Sequence, residues 1–69
     1  MDTVTYNGRE YQVEATGNES VPYHLHGSRG ANYGLIRNRQ NPDVLFLVTS
    51  RMRVLDGWFT DRGGVLKQL

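Results

Sequence analysis

Two histidines separated by one residue are the first place to look for chemistry in this 69-residue sequence. On a β-strand, His24 and His26 would lie on the same side, because alternate side chains point to the same face. Two imidazoles in that position can chelate a metal ion, but catalytic zinc needs three protein ligands and structural zinc needs four. The chain has no cysteine, and no aspartate or glutamate follows His26 for sixteen residues. We therefore predict two solvent-facing histidines, with no metal and no other cofactor.

The next four residues, Gly27-Ser28-Arg29-Gly30, match the G-x-x-G spelling of the loop that clamps nucleotide backbones in KH domains. In those domains the loop joins two helices, whereas the flanking residues here have the pattern of strands. The motif also lacks the lysine and the helix start of a phosphate-binding P-loop. Two glycines at this spacing predict a tight turn.

Aromatic and cationic side chains alternate through residues 23–39. On neighbouring strands, this composition is typical of a surface that stacks single-stranded bases and contacts their phosphates. Tyrosine and arginine are equally enriched in protein–protein interfaces. We predict a binding surface built from this segment, with the residues Tyr23, His24, His26, Arg29, Tyr33, Arg37 and Arg39.

Two features of the segment allow a plainer interpretation. Residues 22–42 hold three arginines and no acidic residue, whereas residues 1–21 hold one arginine and four acidic residues. Neighbouring strands of opposite charge would simply neutralise each other. Tyr23 and Tyr33 also occupy the positions expected to face inward, which would remove both rings from a binding surface.

Catalytic residues are not predicted. The serines at positions 20, 28 and 50 lie in predicted turns, no G-x-S-x-G elbow is present, and cysteine is absent. A chain this short also has little volume for a substrate pocket of about 300 Å³ or more. We therefore expect a protein that is not an enzyme.

The elements that position these residues are short strands. Asn7-Gly8 between two alternating segments predicts a β-hairpin, because both residues tolerate a positive φ. Alternating or β-branched segments bounded by turn residues predict strands at residues 4–6, 11–15, 23–26, 31–39 and 44–48. Residues 58–60 and 65–67 flank a second hairpin turn at 61–64. Residues 50–57 fit either a strand or a single helical turn.

These segments predict an all-β fold that forms one domain over residues 1–69. Because every connection is local, five to six strands should form an antiparallel meander. Curling into an open barrel would remove most of the exposed edges. In the first hairpin, Val4, Tyr6, Tyr11 and Val13 should share the core face.

Residues 44–48, VLFLV, are apolar on both faces of the predicted strand. In a barrel, one alternating set must face outward, either Val44, Phe46 and Val48 or Leu45 and Leu47. The terminal hairpin, which carries Trp58 and Phe59, is one segment that could fold over this outward set. Otherwise a chain of this length has few means of covering such a surface by itself. We therefore expect a two-fold homodimer.

Composition narrows the class of function. The first twenty residues lack the pattern of a signal peptide, and no apolar run approaches the ~20 residues of a membrane-spanning helix. With no cysteine, the chain fits a reducing compartment, so we expect a cytoplasmic protein without a membrane partner. The expected function is that of a small non-enzymatic protein-binding module, such as an adaptor, inhibitor or regulatory subunit. The alternative is a nucleic-acid-binding small barrel that uses the same residues.

Overall fold

Seven antiparallel strands form the molecule, and they follow one another in the sheet in the order of the sequence. The computed structural model describes residues 2–69, apart from the side chain of Arg29. The strands are β1 (Thr3–Tyr6), β2 (Arg9–Ala15), β3 (Tyr23–His26), β4 (Asn32–Arg37), β5 (Val44–Thr49), β6 (Val54–Thr60) and β7 (Lys67–Gln68). Single 3₁₀ turns lie at Ser28–Gly30 and Arg62–Gly64. The predicted all-β meander is confirmed, with one or two more strands than expected.

The sheet curls into a barrel that is nearly closed. β1 and β7 lie beside each other, with Cα atoms within 8 Å, but the two strands are not paired in the sheet. One seam therefore remains unsealed between the first and last strands. The first hairpin turns at Asn7 and Gly8, whose φ angles are +51° and +75°. These angles suit the tight, primed turns that match the twist of the two strands.

The core fills the inside of the barrel. Its fully buried side chains are leucines and one phenylalanine: Leu25, Leu35, Leu45, Leu47 and Phe59. The predicted core face of the first hairpin is confirmed, because Val4, Tyr6 and Tyr11 are buried and Val13 packs against them. In β5, the leucines face inward, so Val44, Phe46 and Val48 form the outward set.

Residues 50–57, which the sequence left open, divide into a turn and the start of β6. The Thr49 side-chain oxygen accepts hydrogen bonds from the backbone N–H groups of Arg51 and Arg53, at 3.3 and 3.2 Å. Met52 takes a φ of +63° inside this turn. The strand resumes at Val54, and its pairing with β5 shifts in register between Phe46 and Val48. Among residues 2–69, no helix has the length and apolarity needed to cross a membrane.

Candidate functional sites

The strand alternation sends three of the seven predicted site residues into the barrel. Tyr23, Tyr33 and Arg37 lie on the same face of the sheet as Leu25 and Leu35. The Tyr33 ring meets the ring of Tyr11 edge-on, with centroids 5.7 Å apart. These three side chains therefore have contacts inside the molecule.

Arg37 and Tyr23 meet Asp61 at one end of the barrel. The Arg37 guanidinium donates two hydrogen bonds to the Asp61 carboxylate, at 3.1 and 2.7 Å. The Tyr23 hydroxyl donates a third, at 3.0 Å, and Arg37 also donates to the backbone oxygen of Pro42 at 2.6 Å. This arrangement ties β3, β4 and the ends of β5 and β6 together.

The ionisation of these groups follows from the same contacts. The hydrogen bonds from Arg37 hold the pKa of Asp61 below its usual range, against the opposing effect of burial. The same bonds raise the pKa of Arg37. Burial, with the hydrogen bond to Asp61 second, raises the pKa of Tyr23. Arg37 and Asp61 therefore form a charged pair at neutral pH, and Tyr23 stays protonated.

The two histidines lie on the outer face of β3, as the sequence predicted. Glu14 lies opposite His24 in the pairing of β2 with β3. The Glu14 Oε1 atom is 3.9 Å from His24 Nδ1 and 3.5 Å from His26 Nε2. On the other side, His26 Nδ1 is 3.1 Å from the side-chain oxygen of Asn32 in β4. The structure thus groups four polar side chains from three strands.

Sequence reasoning missed Glu14, because we looked for a third metal ligand only after His26. Antiparallel pairing of the strands on either side of the loop at 16–22 would have placed Glu14 beside the histidines. There, the Thr16 N–H donates to the Pro22 oxygen at 3.0 Å and closes the hairpin in this register. Arg39 is exposed in the turn that precedes β5, and the Arg29 side chain lies outside the described part of the chain. Of the predicted site residues, Tyr23, Tyr33 and Arg37 thus face the inside of the barrel, and His24 and His26 face the outside.

A patch of apolar side chains lies on the outside of β4, β5 and β6. Ile36, Phe46 and Trp58 face one another across the three strands. The rings of Phe46 and Trp58 meet edge-on, with centroids 6.1 Å apart. We call this surface the β4–β6 outer face and define it by the residues Ile36, Phe46, Val48, Val54 and Trp58. Trp58 is 44% exposed and Val54 is 59% exposed, so the β6 side of the face is open to solvent, whereas Val48 is buried at 1% exposure.

A shallow groove of about 320 Å³ joins the β4–β6 outer face to the histidines. Its lining includes Gly34, Val48, Val21 and Met52, with His24 and His26 along one side. Gly34 lacks a side chain at this point, so the groove can reach the sheet itself. The lining is mainly apolar, which suits an apolar side chain better than a charged ligand.

The chain matches no protein-family model, no curated protein and no solved structure.

Proposed function

We propose that this protein is a small non-enzymatic protein-binding module, and that it docks through the β4–β6 outer face onto a second copy of itself. The observation that carries the proposal is Trp58, which is 44% exposed beside Phe46 on an apolar surface that crosses three strands. Tryptophan dominates binding energy in many protein interfaces when a partner covers it. Contiguous exposed apolar patches are commonly found at protein interaction sites.

The size of the domain favours a second copy as the occupant. A chain below ~70–80 residues obtains only about 3–5 kcal/mol from its own core, and pairing is one common remedy. A standard interface takes about 800 Å² from each partner, roughly one sixth of the 5101 Å² that this chain exposes. The β4–β6 outer face crosses three of the seven strands. Most soluble homo-oligomers are two-fold symmetric, so the same face meets itself.

The charges around the face are complementary to those of a second copy. Asp56 lies between Val54 and Trp58 in β6, and Arg51 and Arg53 lie exposed at the β5–β6 turn. Among side chains that the structure describes, none of these three forms an ion pair within 4.0 Å. In a two-fold pairing, the arginines of one copy have the Asp56 carboxylate of the other copy as a partner. Opposite charges that meet across an interface guide association and fix its register.

The docking surface proposed here differs from the basic segment that the sequence favoured. Tyr23, Tyr33 and Arg37 take part in internal contacts, which leaves fewer groups of that segment free to meet a partner. The apolar content of the β4–β6 outer face favours a protein partner over a nucleic acid. A protein that binds single-stranded nucleic acid combines exposed aromatic rings, on which bases stack, with a continuous positively charged groove for the phosphates.

Light scattering on a hundredfold concentration series up to about 1 mM tests the dimer. We expect the wild-type mass to rise from that of one chain to that of two. Trp58→Lys should weaken the dimer by at least about 30-fold, since a central tryptophan contributes about 2 kcal/mol or more. Val54→Lys changes a second residue of the same face and should also weaken the dimer. Agreement between the two variants would show that the effect is not caused by misfolding of Trp58→Lys.

Val65→Lys is the matched control, because Val65 is also 59% exposed but lies in the turn before β7, away from the β4–β6 outer face. It should leave the dissociation constant unchanged. Wild-type protein that keeps the mass of one chain throughout would remove the proposal. Equal weakening by Val65→Lys and Trp58→Lys would also count against it.

Nucleic-acid binding can be distinguished from protein binding by how strongly its affinity depends on salt concentration. When a protein neutralises a number Z of phosphates, the logarithm of the binding constant falls linearly with the logarithm of the salt concentration. The slope is about −0.7Z for single strands and about −0.9Z for duplexes. We expect no change in anisotropy when the protein is titrated onto generic labelled DNA or RNA at low salt. Binding with a steep salt slope would instead favour the nucleic-acid alternative.

A further inference from the structure

We infer that Glu14, His24 and His26 form a binding site for a divalent transition-metal ion, with zinc as the probe. One carboxylate and two imidazoles offer ligand atoms that all lie within 4.8 Å of one another. The inference is independent of the proposed dimer, because all three ligands belong to one copy and lie on β2 and β3.

The spacing of the ligand atoms is close to what zinc requires. Bonds of about 2.0–2.2 Å in a tetrahedral arrangement place neighbouring ligand atoms about 3.3 Å apart. The Glu14 oxygen already lies 3.5 Å from His26 Nε2 and 3.9 Å from His24 Nδ1. The longest separation among the three therefore has to shorten by about 1.5 Å at most. Side-chain rotation supplies this movement, because all three groups are substantially exposed to solvent.

Asn32 prepares His26 for this role. Its side-chain oxygen lies 3.1 Å from His26 Nδ1, so Nδ1 donates to that oxygen when it carries the ring proton. The Nε2 atom then holds a free lone pair on the side that faces Glu14. Histidine ligands of metal sites usually have such a partner on the second nitrogen, which fixes the tautomer and the ring orientation.

The donor set indicates which ions fit. Imidazole suits zinc, copper, iron and nickel, whereas magnesium and calcium prefer oxygen ligands alone. Three protein ligands leave the fourth position of a tetrahedral ion open to water. His24 and His26 also border the groove at Gly34 and Val48, so that open position has a neighbouring apolar surface.

Calorimetric titration of the full chain with zinc chloride tests the inference, with the histidine ring protons followed by NMR in parallel. We expect saturable binding with one zinc per chain and shifts of the ring protons of His24 and His26. Asn32→Ala should weaken binding by about 10–100-fold, the usual effect of losing a supporting hydrogen bond. Asn32→Asp keeps an acceptor oxygen and should restore the affinity.

Glu14→Gln and His26→Ala each remove a ligand and should weaken binding more than Asn32→Ala does. Glu10→Gln is the matched control, because Glu10 is exposed on the same face of the same strand but lies outside the cluster of ligand atoms formed by Glu14, His24 and His26. The Trp58→Lys variant should bind zinc as the wild type does, which separates this inference from the dimer. No saturable binding up to about 1 mM zinc, or equal affinity in Glu14→Gln and wild type, would overturn the inference.

Discussion

Asp61→Asn is expected to lower the free energy of unfolding by about 2 kcal/mol at pH 7. Hydrogen bonds to charged groups contribute about 1.5–3 kcal/mol, and solvent around Arg37, whose side chain is 35% exposed, reduces the effect. An amide at position 61 would also place an N–H donor against the donors of Arg37 and Tyr23. The melting temperature should fall by roughly 8–16 °C in a domain of this size.

Thermal and urea unfolding followed by circular dichroism measure this change. Asp43→Asn is the control, since Asp43 is exposed in the turn before β5. An exposed charge of this kind contributes less than about 1 kcal/mol. Equal effects of the two substitutions would show that the cluster at the end of the barrel does not stabilise the fold.

The same cluster predicts a pH dependence. The pKa of Asp61 is lowered in the folded protein, chiefly by the hydrogen bonds from Arg37. Its contribution is therefore present above the unfolded-state pKa of about 3.9 and is lost as the pH falls through the folded-state value. The difference in unfolding free energy between wild type and Asp61→Asn should shrink as the pH falls from 7 towards that range. If this difference in unfolding free energy does not change with pH, the ionised carboxylate of Asp61 is not the group that stabilises the fold.

Gly57→Ala is expected to destabilise the protein by about 1–3 kcal/mol, the usual cost of adding a methyl group to a packed core. A Cβ atom at Gly57 would lie 2.8 Å from Tyr6 Cε1 and 3.3 Å from Leu47 Cβ. The Tyr6 ring has little freedom to move, because its hydroxyl donates to the Asp56 oxygen at 3.1 Å. It also packs on Phe59, with ring centroids 5.8 Å apart.

Gly34→Ala provides the comparison, because Gly34 is also buried but faces the outside of the barrel. A Cβ there would lie 3.1 Å from Val21 Cγ1 and 3.4 Å from Val48 Cγ2. Val21 belongs to the loop between β2 and β3, which can give way by a few tenths of an ångström. Urea titration should therefore rank Gly57→Ala well below Gly34→Ala in stability. The reverse order would show that the β6 backbone does not approach Tyr6 this closely.

Local patterns were enough to predict most of the fold. Asn7-Gly8 predicted the first hairpin, and the alternation at Val4, Tyr6, Tyr11 and Val13 predicted its core face. In residues 44–48, by contrast, both alternating sets are apolar, so the sequence alone could not orient this strand. The orientation follows from the rest of the sheet, which places leucines of β3, β4 and β5 together inside.

The candidate sites depended on contacts that local patterns do not contain. Arg37 belonged to a predicted basic surface, but its partner Asp61 lies 24 residues further along the chain. The pairing of Glu14 with His24 depends on the register across a seven-residue loop between β2 and β3. Trp58 and Phe59 are adjacent on β6, so their rings point to opposite faces, but only the barrel places the Trp58 ring beside Phe46.

Isotope-filtered NMR on an equal mixture of labelled and unlabelled chains tests most directly whether the β4–β6 outer face is the protein interface. Nuclear Overhauser contacts between copies would then report which side chains meet in the dimer. We predict contacts from the Trp58 indole of one copy to the methyl groups of Ile36 and Val54 of the other. Contacts confined to other strands, or none at a concentration where the mass is that of two chains, would contradict the account.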